Sequence, residues 1–109
     1  MDCLFCKIAN KKTPTEIVYE NDKVVAFKDT HPKAPIHLLI VPKKHITSVD
    51  HLEFQDKELV GELILAAQKI AKGKKLNGYK LIINVGRPAG QVIDHLHLHL
   101  LSGKPTQLP

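Results

Sequence analysis

The chain has 109 residues, of which 43% are hydrophobic and 25% charged. That balance describes one globular domain over residues 1–109 and excludes a disordered chain, a collagen-like fibre, a coiled coil and a disulfide-stapled miniprotein. Sixteen Lys and Arg against eleven Asp and Glu leave a formal charge of +5, which suits an anionic partner without choosing one. With no Trp, two Tyr and three Phe, the chain lacks the aromatic and basic interleaving that binds single strands, so no nucleic acid partner is expected. No apolar run approaches the roughly 20 residues of a membrane span, and the first residues hold no apolar secretory core. The expectation is a cytoplasmic protein that does not engage a membrane.

In chain order, Cys6 to Ala9 is expected to open a short helix, with Pro14 closing the turn after it. Val18–Glu20 and Val24–Phe27 flank Asn21-Asp22 and form a hairpin. Asp29 to Pro35 is a loop, and the apolar run Ile36–Val41 is a buried strand stopped at Pro42. From Asp56 to Lys72 the residues Leu59, Val60, Leu63, Ile64, Ala67, Ile70 and Ala71 recur at three and four, which predicts an amphipathic helix. The basic cluster Lys72, Lys74 and Lys75 falls at its end, where cations oppose the helix dipole. A strand over Tyr79–Asn84, a tight loop over Val85–Gln91 and a strand over Asp94–Leu101 follow. The class is α+β: about five mostly antiparallel strands, one long helix and a short N-terminal helix. One helix cannot cover both faces of such a sheet, so a homodimer is expected.

The chemistry is concentrated in His95-Leu96-His97-Leu98-His99-Leu100-Leu101. Strand alternation puts the three histidines on one face and Leu96, Leu98 and Leu100 on the other. A row of imidazoles is a poor packing surface, so the pattern points to use rather than structure. The positions i, i+2 and i+4 spread the rings over roughly 13 Å, which disfavours one metal shared by all three. A reaction surface with a central nucleophile or base fits better. The preceding loop, with Gly86, Gly90 and Gln91, is of the kind that presents backbone N–H groups to an anion. An imidazole that attacks phosphorus forms a phosphorus–nitrogen intermediate that water can hydrolyse, and it is partly neutral at pH 7.

These residues resemble the histidine triad family of nucleotide-binding hydrolases and transferases, in particular its purine nucleoside phosphoramidase branch. The resemblance extends to Phe5-Cys6-Lys7-Ile8, Ala26-Phe27 with Asp29, Ala34-Pro35 before His37, Ile40 to Ile46, and Asn84, and so covers nearly the whole chain. It implies that His97 attacks the α-phosphate of a purine nucleotide or nucleoside phosphoramidate, that His99 donates to a phosphate oxygen, and that His37 supplies a fourth histidine. It implies that the carbonyl of His95 holds the other nitrogen of His97. Asn84 and Gln91 become phosphate-side hydrogen bonders, Asp29 the acceptor for ribose hydroxyls, and Leu4, Phe5, Ile8 and Phe27 apolar walls around the base. For Phe27 an ordinary core role is an equal alternative.

Two positions depart from the branch. Val92 stands where a hydroxyl residue is common, and Asp94 where an aromatic or apolar residue is. The Cys3-x-x-Cys6 spacing alone is open between a redox pair and metal ligands. Similarity to bacterial-type members implies a structural zinc on Cys3, Cys6, His45 and His95, with no catalytic metal required. His31 and His51 receive no role, and Arg87 is a lesser candidate for phosphate. A dinucleoside polyphosphate hydrolase or nucleotidyltransferase is the alternative enzyme, and a nucleotide-binding regulator with weak turnover the alternative that Val92 keeps open. The tail Thr106-Gln107-Leu108-Pro109 is assigned to leaving-group selection or to the dimer.

Overall fold

The computed structural model describes residues 3–103, so the tail expectation lies outside the described residues. Five strands, β1 (Ile17–Glu20), β2 (Val24–Lys28), β3 (Ile36–Pro42), β4 (Lys80–Ile82) and β5 (Leu98–Ser102), form one sheet in the order β1-β2-β3-β5-β4. Every neighbouring pair is antiparallel. Two helices complete the fold: α1 (Leu4–Ala9) and α2 (Lys57–Gly73). Among the described residues no helix is long and apolar enough to cross a membrane.

Local chemistry explains the boundaries. The Asn21 carboxamide accepts from the N–H groups of Lys23 and Val24, which closes the hairpin where the Asn-Asp pair predicts it. α1 starts two residues earlier than expected because the Cys3 sulfur accepts from the Cys6 N–H and caps it. α2 follows a 3-10 turn at Phe54–Asp56, where Glu53 and Asp56 cap each other reciprocally. Its buried stripe is Leu63, Ala66, Ala67, Ile70 and Ala71. Ile64, expected inside, is 42% exposed, as is its neighbour Leu65 at 59%.

The sheet separates two cores. On one face Val24, Ala26, Leu38, Ile40, Leu96, Leu98 and Leu100 pack against α2. On the other Val25, Phe27, Leu39 and Val41 pack against Cys3, Phe5, Ile8 and Ala9 of the α1 segment. Because α1 is short, it covers only part of that second face. The uncovered part is where the chemistry lies.

Candidate active site

β5 is shorter than the sequence suggests, and this changes the picture of three histidines on one strand. It begins at Leu98, so His95 and His97 belong to the segment leading into it. His99 pairs with Leu39 and with Ile82, and His37 pairs with Leu101, which places His37 and His99 on the α1 side of the sheet. The His97 and His99 rings lie 5.0 Å apart, and Phe5 meets His97 edge-on at 5.1 Å. His95 is turned away: it is fully buried and faces Cys3 and Cys6.

A cleft of about 1060 Å³ opens before these rings. Leu4, Phe5, Ile8 and Phe27 form its apolar wall, and Asp29, Asn84, His37, His97 and His99 its polar groups. Phe27 is buried against Phe5 at 5.4 Å and also lines the cleft. Leu39, two residues beyond His37 on β3, also lines it. Strand alternation from His37 already carries that signal.

The hydrogen bonds fix which nitrogen of each ring holds the proton. The backbone N–H of Lys33 donates to His37 Nδ1 at 2.9 Å, so the proton of His37 sits on Nε2. That N–H donates to His99 Nδ1 at 2.9 Å, with the Asp29 carboxylate 3.4 Å away. His99 therefore carries its own proton on Nε2 and acts there as a donor. His97 has the opposite arrangement: its Nδ1–H donates to the His95 carbonyl at 2.7 Å, leaving Nε2 as a lone pair. Two adjacent imidazoles thus offer one nucleophilic nitrogen and one hydrogen-bond donor.

Burial, followed by the charges of His97 and His37, pushes His99 down to about 4. Burial likewise lowers His37, against the opposing pull of Asp29. Both rings stay neutral near pH 7, in keeping with the single protons that these hydrogen bonds assign. Asp29, His37 and His99 have ligand-type atoms within 4.8 Å of one another. However, the Lys33 N–H already occupies Nδ1 of His37 and holds the proton on Nε2, so this set reads as a proton-positioning chain. Nothing in the sequence flags that Lys33 backbone contact.

The loop side chains engage the protein's own backbone and charges. Gln91 is 3% exposed and spends its side chain on backbone: its amide donates to Thr47 O and Ile93 O, and its carbonyl accepts from Gly86 N–H. It braces the loop and is not among the residues that line the cleft. In the glycine loop the N–H groups of Ala89, Gly90 and Gln91 bond to Gly86 and Arg87 carbonyls, so these three are not presented to an anion. Gly90 sits at φ 98, where the left-handed turn favours glycine. Arg87 pairs with Asp94 at 3.0 Å and donates to the Val92 carbonyl, which ties the loop together. Asn84 donates to Ala89 O at 2.8 Å while lining the cleft. Val92 lines the mouth and is 71% exposed.

Behind Phe5 lies a second cluster. Cys3 Sγ and Cys6 Sγ lie 3.2 and 3.5 Å from His95 Nδ1, and Cys6 Sγ lies 3.3 Å from His45 Nδ1. All four ligand atoms fall within 4.8 Å of one another. In a tetrahedral site with the usual metal–sulfur and metal–nitrogen lengths, S···N edges are about 3.6 Å, so this set can hold a metal ion. His95 Nε2–H donates to the Pro42 carbonyl at 2.8 Å, which points Nδ1 at the sulfurs. Burial and the neighbouring Cys3 push the Cys6 thiol up to about 11, so a bound cation must displace its proton.

Comparison with known proteins agrees with this geometry. Residues 2–107 match the family model described as "Scavenger mRNA decapping enzyme C-term binding". Protein HitA of Neisseria gonorrhoeae is 44% identical over 106 residues, covering 96% of this chain and 98% of that protein. A HIT family hydrolase from Legionella pneumophila Philadelphia 1 is 43% identical, with TM-score 0.95 over 99% of this chain and 98% of that one. A histidine triad protein from Clostridium difficile is 43% identical, with TM-score 0.96 over 100% and 96%. The chain belongs to the histidine triad family.

Proposed function

We propose that this protein is a hydrolase that cleaves the phosphorus–nitrogen bond of purine nucleoside 5′-phosphoramidates. The observation that carries the reading is the pair of opposite tautomers: a bare Nε2 on His97 beside an Nε2–H on His99, both lining one cleft. His97 Nε2 attacks the α-phosphorus, the amine departs, and water then breaks the phosphorus–imidazole bond. His99 Nε2–H donates to the non-bridging oxygen as charge grows there, and His37 keeps that proton in place. Asp29 accepts from the ribose, and Leu4, Phe5, Ile8 and Phe27 enclose the base. The similarity to a HIT family hydrolase of Legionella pneumophila supports the same class.

The Cys3, Cys6, His45 and His95 set is read as a structural zinc site, because two thiolates and two imidazoles suit that ion and fill all four positions. A homodimer is proposed through the open edge of β4, where Leu81 is 37% exposed, with the outward Leu65 of α2 contributing. A second reading, a nucleotide-binding regulator with weak turnover, is favoured by Val92, which supplies no hydroxyl at the cleft mouth.

The test is turnover of adenosine 5′-phosphoramidate against a dinucleoside polyphosphate and a nucleoside monophosphate. The proposal expects the phosphoramidate to be hydrolysed fastest, with AMP released and His97→Ala inactive but folded. Preferred cleavage of the dinucleotide, or tight nucleotide binding without turnover, would establish an alternative instead.

A further inference from the structure

The metal cluster and the nucleophile share a peptide group. His95 belongs to the Cys/His cluster through its ring, and its own carbonyl is the acceptor that holds His97 Nδ1–H at 2.7 Å. The N–H at the other end of the same peptide, that of Leu96, donates to the Ile46 carbonyl at 2.6 Å. Ile46 directly follows His45, a second member of the cluster. The plane of the His95–Leu96 peptide is therefore clamped between two ligand residues. The His95 ring is fixed from both sides as well, by Cys3 and Cys6 at Nδ1 and by Pro42 O at Nε2. Phe5, between the two cysteines in α1, packs on both His95 and His97, at 5.9 and 5.1 Å.

We infer that Cys3, Cys6 and His45 are positioning residues for the reaction: acting through His95, they aim the carbonyl that selects the reactive tautomer of His97. This rests on the cluster being a metal site. It goes further by giving that site a catalytic consequence beyond fold stability. Without the clamp the His95–Leu96 peptide can tilt, the Nδ1–H···O bond lengthens, and the proton of His97 divides between its two nitrogens. A His97 carrying its proton on Nε2 has no lone pair to present to phosphorus. The chemical step loses its nucleophile, so kcat falls. Leu4, Phe5 and Ile8 of α1 also line the cleft, so losing the cysteine anchor shifts KM as well, and the tautomer is the reading that isolates the positioning role.

The test uses ¹⁵N-histidine-labelled protein, zinc-loaded and at neutral pH, with three readings: zinc content, the tautomer of His97 from its ring nitrogen shifts, and kcat with KM. In the loaded protein His97 should show Nδ1 protonated and Nε2 bare. His45→Asn, or removal of zinc from the unaltered protein with a chelator, should give mixed tautomers and a loss in kcat of about 10-fold or more. His45→Cys, which restores a ligand, should recover both. A metal-free protein that keeps the single tautomer and its full kcat while its Tm falls overturns the inference and leaves a purely structural site. If the protein takes up no zinc, the metal reading fails on its own. Cys3→Ala, which removes the 3.2 Å contact to His95, then decides the positioning role by the same spectrum: mixed tautomers support it and an unchanged spectrum overturns it.

Discussion

Acid should weaken this fold through His99. Its ring is pushed from 6.5 down to about 4, first by burial and then by the charges of His97 and His37. A histidine whose folded value lies below its unfolded one binds protons more readily when unfolded. Its contribution is fully present above about pH 6.5 and is lost as pH falls toward 4. Between pH 7 and pH 5 a lowering of that size corresponds to roughly 2 kcal/mol. The ring is only partly buried, so solvent screening reduces this to about 1 kcal/mol. The assay is urea unfolding of the parent and of His99→Gln at both pH values, at equal metal loading. Protonation elsewhere, at His37 and in the Cys/His cluster, acts on both proteins and cancels to first order in the double difference. The parent should lose about 1 kcal/mol more than the variant. Equal losses, or a larger loss in the variant, would refute the idea that His99 is held neutral by its surroundings.

Other consequences follow from the same structure. Gln91→Leu strips partners from Gly86 N–H, Thr47 O and Ile93 O, and should cost about 3 kcal/mol, seen as a fall in Tm of more than about 10 °C. Asp29→Asn should raise KM about 10-fold for a ribonucleoside substrate but change a 2′,3′-dideoxy analogue little; equal effects on both would remove Asp29 from the ribose. Leu81→Lys on the open edge of β4 should yield a monomer in sedimentation, and a retained dimer would place the interface elsewhere.

Much of the fold was legible because it rests on periodicity. Ile36–Val41 reads as a buried strand, and the 3,4 spacing around Leu63 and Ala67 locates α2 within a residue. Ile64 fits the spacing of the stripe yet stands at its edge, 42% exposed, because spacing alone does not set how wide a face the sheet covers. The histidine row announced the site, but alternation alone overstated the strand. The chain between Gln91 and Leu98 is held by Leu96 N–H to Ile46 O and by the Gln91 side chain, contacts made by residues more than forty positions away. Such non-local bonds leave no trace in spacing. For the same reason the backbone partners of Gln91 and the Lys33 N–H that sets the His37 tautomer are invisible in the sequence. Cys3, Cys6, His45 and His95 were named through family resemblance, and only the fold shows their ligand atoms converging.

The most direct measurement is mass spectrometry of protein quenched in acid-free conditions during turnover of adenosine 5′-phosphoramidate. Transient attachment of one adenylyl group to the peptide containing His97, absent from His97→Ala, is the predicted result. Full turnover with no adduct on that histidine, or an adduct on His99 or His37 instead, would contradict the assignment of His97 as the nucleophile.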